Sequence, residues 1–162
     1  MALLRQYLTK EINELNERGV CFRVIGERDR LASDIVALIE RSEQLTSANT
    51  DLFLTLALSY GGRRAIVLAA QELVEQASQG ILSSDKISES MFEARLETAQ
   101  HPDPDLIIRT SGEKRISNFM LWECAYSEFV FLDVFWPDFS HEHLSDAILE
   151  FGRRNRRYGA TI

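Results

Sequence analysis

The sequence predicts an α/β fold in which helices cover both faces of a mostly parallel sheet. Segments with apolar residues at helical spacing alternate with short β-rich runs along most of the chain. Some of these runs are almost unbroken in apolar residues, which is typical of strands in a parallel sheet. Because no repeat, low-complexity tract or linker interrupts the alternation, we expect a single domain over residues 1–162.

The first half of the chain predicts three helices and two strands. The opening helix ends at Gly19, where a left-handed cap is expected, and residues 20–25 form a short strand that ends at Gly26. The second strand, residues 52–58, is apolar enough to be buried on both faces, and residues 61–62 begin a helix that ends before Gly80. The apolar positions of the three helices are Leu4, Leu8, Ile12 and Leu15, then Leu31, Ile35, Leu38 and Ile39, then Ile66, Ala69, Leu73 and Ala77.

The second half predicts three further helices and two further strands. A helix begins near Ser88 or Ser90, and Ser90 and Glu93 stand at capping-box spacing. Residues 106–108 form a buried strand that delivers Arg109 at its carboxyl end, ahead of a turn at 110–112. The remaining elements are a short apolar helix with Phe119, Leu121, Trp122 and Ala125, a strand over 129–132, and a last helix capped by Ser140 with Leu144, Ile148 and Phe151.

Composition and charge narrow the functional classes. A net charge of -7 and a pI near 5.0 argue against a nucleic-acid or membrane-surface binder, which needs a broad basic footprint. Cys21 and Cys124 have neither CxxC nor zinc-site spacing, so no disulfide framework is expected. Without a signal-peptide pattern or a long apolar run, we expect a cytoplasmic protein with no membrane span.

The segment 109–117 collects the groups that bind a diphosphate. Arg109 stands where a strand ends, and Lys114, Arg115 and Ser117 follow around the glycine turn. Guanidinium forks, a close backbone and a hydroxyl donor are what diphosphate oxygens need. The alternative is that Arg109 pairs with Asp103 or Asp105 and that Arg115 is only solvated.

Several motifs in order resemble one family. They are Tyr60-Gly-Gly-Arg, Asp105-Leu-Ile-Ile-Arg-Thr-Ser-Gly-Glu-Lys-Arg-Ile-Ser-Asn-Phe, Leu121-Trp, Ala125-Tyr, Glu128, Trp136-Pro-Asp-Phe and Arg156-Arg-Tyr-Gly. This series resembles the cis-prenyltransferases of the undecaprenyl diphosphate synthase type, from the first helix to the last. The resemblance implies an undecaprenyl diphosphate synthase-like fold and the condensation of isopentenyl diphosphate, in cis geometry, with an allylic diphosphate such as farnesyl diphosphate. The expected product is undecaprenyl diphosphate, a lipid carrier for cell-wall synthesis.

The resemblance also assigns site residues. It places Arg109, Arg115 and Ser117, with the adjoining Ile116, at the diphosphate of isopentenyl diphosphate, and Glu128 at a carboxylate that assists Mg²⁺. Relatives have histidine at the position of Lys114; an ammonium cannot bind Mg²⁺, so we expect it to act as an extra diphosphate cation.

The resemblance extends to assembly. It implies a homodimer in which Arg157 and Gly159 form an Arg-x-Gly motif that reaches the neighbouring active site, with peripheral membrane contact for product release. The alternative for that motif is a frayed basic terminus.

Two motifs of the family do not occur between residues 1 and 162. These are an Asp-Gly-Asn-Gly-Arg-Trp loop, whose aspartate binds Mg²⁺, and a Phe-Ser-x-Glu-Asn-Trp segment. Because both would precede Met1, we expect N-terminal strands to be missing and the short chain to be inactive alone. The opening helix fits this expectation, although a natural N-terminal helix fits the same pattern. The alternatives are a non-catalytic partner subunit of a cis-prenyltransferase complex and an unrelated phosphate-binding α/β protein.

Overall fold

The structure is a computed structural model that describes residues 2–154. The chain divides into two compact units, Met1–Ala99 and Gln100–Ile162. Both units combine helices with a parallel pair of strands, so the predicted α/β class with parallel strands is confirmed. The single domain stays a prediction. Among the described residues, no helix is both long and apolar enough to cross a membrane.

The first unit contains five α-helices and two strands among its described residues. In chain order these are α1 Ala2–Lys10, α2 Ile12–Glu17, β1 Val20–Ile25, α3 Ser33–Thr46, β2 Leu52–Ala57, α4 Gly62–Ser78 and α5 Glu89–Glu93. Strands β1 and β2 run parallel, with Val20 opposite Leu52 and Ile25 opposite Ala57. The left-handed cap predicted at Gly19 is confirmed by its φ of 70°, and Gly80, before which the fourth helix was predicted to end, has a similar φ of 71°.

Side chains of α3 accept hydrogen bonds from the backbone of β1, along the edge of the strand that faces away from β2. The backbone N–H groups of Phe22 and Val24 donate to Thr46 Oγ1 and Glu43 Oε1, at 3.1 and 2.9 Å. Thr46 is fully buried, and its hydroxyl in turn donates to the backbone carbonyl of Ser42. Buried backbone groups that would otherwise lack partners are therefore paired by helix side chains, which fixes α3 against the strand.

Three predictions for the first unit were wrong in detail. The opening helix is two segments, α1 and α2, that meet at Glu11. Strand β2 is not buried on both faces, since Leu52 and Phe53 are 58% and 57% exposed. The fifth helix is capped by Ser88, whose hydroxyl accepts from Met91 N, so the first of the two predicted starts is the correct one and the Ser90 box does not form.

Among its described residues, the second unit contains two strands and one α-helix. Strand β3 is Leu106–Arg109, β4 is Glu128–Phe131 and α6 is His141–Gly152. The strands are parallel, with Leu106 opposite Glu128 and Arg109 opposite Phe131. Ser140 caps α6 as predicted, and the His143 side chain completes the box by bonding the Ser140 backbone N–H.

Two predictions for the second unit need correction. Strand β3 is half-buried rather than buried along its length. The short helix predicted around residues 119–125 does not form, because this segment is a series of turns. Asn118 and Met120 have positive φ values of 63° and 46°, which a right-handed helix cannot accommodate.

The buried core of the first unit allows a direct test of packing. Phe22 on β1 is completely buried, whereas Phe53 on the paired strand is mostly exposed. We expect Phe22→Ala to lower the free energy of unfolding by about 3–5 kcal/mol, and Phe53→Ala by less than about 1 kcal/mol. Urea unfolding followed by circular dichroism measures both, and equal losses would contradict this description of the core.

Candidate functional site

The site begins with Arg109, the last residue of β3. Its Nη1 donates to the backbone carbonyl of Arg115 and, at 2.8 Å, to Ser117 Oγ. Both acceptors lie in the loop that follows the strand, so one guanidinium group ties the end of β3 to that loop.

Left-handed backbone conformations shape this loop. Ser111 and Gly112 have φ values of 69° and 68°, and Ser117 has 50°. Non-glycine residues rarely adopt positive φ, and such residues cluster where a loop serves a function. The conformation turns the chain back on itself, so that Ser117 returns to the Arg109 side chain instead of continuing away from the strand.

The segment after β4 holds the same loop from the other side. Leu132 N donates to the Arg109 carbonyl at 2.8 Å, and Gly112 N donates to the Leu132 carbonyl at 2.9 Å. Ser111 N donates to the Val134 carbonyl at 2.8 Å. A Cβ atom at Gly112 would lie 3.2 Å from Asp133 Oδ1, which is a tight contact. Glycine avoids this contact and also tolerates the positive φ at this position.

Arg109, Arg115, Ile116 and Ser117 line one cavity of about 180 Å³. The rest of its wall is apolar and comes from both strands and from Phe119, with Ile107, Ile108, Phe129 and Phe131. Arg115 is 63% exposed and forms an ion pair with Glu113. Three of the predicted polar residues therefore line the same cavity, whereas the Glu113 partner and the phenylalanine wall were not predicted from the sequence.

Lys114 is not part of this cavity wall. Its side chain is exposed, and within residues 2–154 it has no hydrogen bond or ion pair. Lys114 was predicted to bind the diphosphate together with Arg109, Arg115 and Ser117. Of these four residues, it is the one that does not line the cavity.

Glu128 lies at the opposite end of the strand pair from Arg109. It begins β4 level with Leu106, three residues before Arg109, which corresponds to about 10 Å along the strands. Arg154 Nη1 donates to Glu128 Oε2 at 2.8 Å and to the Phe129 carbonyl at 2.9 Å, and Nη2 contacts Glu150. The hydrogen bonds to Glu128 and then Glu150 raise the pKa of Arg154 above its ordinary value.

Glu128 is the residue predicted to assist Mg²⁺ binding, and in this structure it is paired with Arg154. Within residues 2–154 no group of three or more histidine, cysteine, aspartate or glutamate side chains could hold one. Mg²⁺ prefers oxygen ligands, yet the Glu128 carboxylate is engaged by a guanidinium that would repel a cation. Arg157 and Gly159, the predicted tail motif, lie outside the described residues.

Comparison with known proteins identifies the relatives of this chain. The sequence profile of the undecaprenyl diphosphate synthase family of prenyltransferases matches residues 1–159. The chain belongs to this family. An isoprenyl transferase of Agrobacterium fabrum is 45% identical over 160 residues, and one of Bacillus cereus is 48% identical over 159. These alignments cover 99% and 98% of the chain but only 65% and 62% of the two relatives.

Solved structures of family members share the fold. The crystal structure of lavandulyl diphosphate synthase from Lavandula x intermedia, in complex with dimethylallyl diphosphate, matches with a TM-score of 0.95 and 36% identity, over 98% of this chain and 69% of that one. A probable undecaprenyl diphosphate synthase from Campylobacter jejuni matches with a TM-score of 0.86 and 30% identity, over 98% and 72%. The family assignment from the motifs and the predicted fold class are both confirmed.

The close approach at Gly112 gives a test of the loop. Gly112→Ala adds a methyl group beside Asp133 at a left-handed position, which we expect to disfavour the observed loop by roughly 1–2 kcal/mol. Calorimetric binding of inorganic pyrophosphate should weaken accordingly. In Gly112→Ala/Asp133→Ala the crowding is relieved while the backbone penalty remains, so affinity should recover only in part. Asp133→Ala alone is the control, and unchanged affinity in Gly112→Ala would refute the role of this contact.

Proposed function

We propose that the loop of residues 109–117 binds the diphosphate group of isopentenyl diphosphate. The observation that carries this proposal is the shared cavity of Arg109, Arg115 and Ser117 at the carboxyl end of β3. Ligands of parallel sheets bind at this end, because the loops that follow the strands converge there. The apolar remainder of the wall suits a short branched hydrocarbon, so the cavity offers one polar and one apolar end.

Each polar side chain has capacity left for the ligand. Arg109 uses only Nη1 in the hydrogen bonds of the loop, and a guanidinium group carries five N–H donors. Ser117 accepts from Arg109, which leaves its own hydroxyl hydrogen available for a phosphate oxygen. Arg115 must exchange Glu113 for the diphosphate, and leaving an exposed ion pair costs little.

For the whole protein, we infer condensation of isopentenyl diphosphate in cis geometry with an allylic diphosphate such as farnesyl diphosphate. The product would be undecaprenyl diphosphate, for use as the lipid carrier of cell-wall synthesis. Lys114 would add positive charge near the mouth of the site. Mg²⁺, when bound, would neutralise the departing diphosphate. The ion would take its ligands from carboxylates and from the phosphate oxygens of the substrate.

The proposed assembly is a cytoplasmic homodimer with peripheral membrane contact. In it, Arg157 and Gly159 of one subunit would reach the site of the other. The second candidate function is a non-catalytic partner subunit of a prenyltransferase complex. The pairing of Glu128 with Arg154 favours this candidate, because that carboxylate is occupied by a cation of its own chain. The intact diphosphate cavity favours the enzyme, since a scaffold needs no substrate site.

The binding proposal is tested by calorimetry with isopentenyl diphosphate. Loss of a charge-assisted hydrogen bond costs about 1.5–3 kcal/mol, so Arg109→Ala and Arg115→Ala should each weaken binding by about tenfold or more. We expect a smaller loss for Ser117→Ala. Arg153→Ala is a matched control, because Arg153 lies beyond α6 and does not line the cavity. Unchanged affinity in both Arg109→Ala and Arg115→Ala would overturn the proposal.

A second measurement separates the two candidate functions. We expect the 162-residue chain alone not to elongate farnesyl diphosphate with isopentenyl diphosphate and Mg²⁺, since positioning and metal stabilisation supply most of the catalysis. Radiolabelled isopentenyl diphosphate would detect products. A partner subunit should raise the activity of a full-length isoprenyl transferase when the two are mixed, and an isolated portion of an enzyme should not. Elongation of farnesyl diphosphate by the 162-residue polypeptide alone would contradict this expectation.

A further inference from the structure

A cleft of about 490 Å³ lies between α3 and the junction of α1 and α2. It belongs to the first unit and shares no residue with the diphosphate cavity. Leu8 and Ile12, which are almost completely buried, stand on either side of the helix break at Glu11, and Leu38 and Leu45 face them from α3. A volume of this size is within the range of small-molecule sites.

The polar side chains of the cleft fall into two groups. Thr9 and Ser42 donate their hydroxyl hydrogens to backbone carbonyls of their own helices, at 2.7 Å each. Asn13, Arg41 and Gln44 have no side-chain hydrogen bond or ion pair with any residue among 2–154. The cleft therefore combines an apolar floor with three polar side chains that have no hydrogen-bond partner among residues 2–154.

Arg41 is the unusual member of this set. The chain carries 25 acidic and 18 basic residues, so carboxylates are in excess. Within residues 2–154, every other arginine except Arg153 has an interaction partner, either another side chain or a backbone carbonyl. A guanidinium group that stays unpaired in an acidic chain, beside an apolar cleft, suits an external anion.

We propose that this cleft binds a small amphiphile with one anionic head group and an apolar tail. Arg41 would hold the head group, assisted by the amides of Asn13 and Gln44, while Leu38 and Leu45 would contact the tail. A carboxylate and a phosphate monoester share the chemistry that Arg41 recognises. The overall charge of -7 would by itself attract cationic amphiphiles, so a preference for anions would have to come from the site.

The experiment uses decanoate and decyl phosphate as probes, at concentrations below micelle formation, with calorimetric detection. Decyltrimethylammonium and decyl maltoside are the cationic and neutral controls of equal tail length. We expect both anions to bind and Arg41→Gln to weaken them by about tenfold, as for loss of a charge-assisted hydrogen bond. Comparison of the two anions shows which head group the cleft prefers.

Matched variants assign the binding to the cleft. Arg153→Gln removes the other arginine that has no partner among residues 2–154, and it should leave the affinity unchanged. Leu45→Gln should weaken binding, because it removes an apolar contact with the tail. Arg109→Ala should also leave it unchanged, which separates this site from the diphosphate cavity. The proposal is overturned if neither anion binds, if decyltrimethylammonium binds as tightly as decanoate, or if Arg41→Gln has wild-type affinity.

Discussion

The hydrogen bonds from Arg109 to Ser117 and to the Arg115 carbonyl hold the candidate site together. These hydrogen bonds close a loop that contains several residues in the left-handed conformation. They also hold the guanidinium group in place, in a chain where acidic residues outnumber basic ones. The bonds to Leu132 and Val134 complete this arrangement from β4. Arg109 therefore orders the loop as well as carrying charge, and replacing it changes both properties together.

The parallel register of β3 and β4 separates the two charged clusters of the second unit. Arg109 ends one strand at the loop, whereas Glu128 begins the other strand and pairs with Arg154 near the end of α6. The two clusters are about 10 Å apart along the strands. Within one chain, the pair of Glu128 with Arg154 is therefore a cluster of its own, distinct from the cavity at Arg109.

Capping residues and apolar spacing predicted most of the helices and strands. Features that depend on contacts distant in sequence, such as burial and loop conformation, were not predicted. Gly19, Gly80 and Ser140 end or begin helices through short-range geometry that the sequence displays directly. The helix predicted after Ser117 does not form, because apolar spacing does not reveal left-handed residues. The predicted burial of Phe53 is wrong, because an apolar pattern does not say what covers a strand. In the site, the family motif located Arg109 and Ser117, but only coordinates showed that Arg115 pairs with Glu113 and Glu128 with Arg154.

The cavity at the end of β3 is built by one continuous segment of the second unit. The contacts that shape the diphosphate cavity come from residues 106–134 alone, through the strand pair, the left-handed loop and the backbone bonds after β4. The two isoprenyl transferases are longer than this chain, which covers 65% and 62% of their lengths. The contacts that shape the cavity all lie within the matched part. A preformed cavity needs little reorganisation on binding, so the proposed diphosphate site would depend mainly on the contacts of this segment.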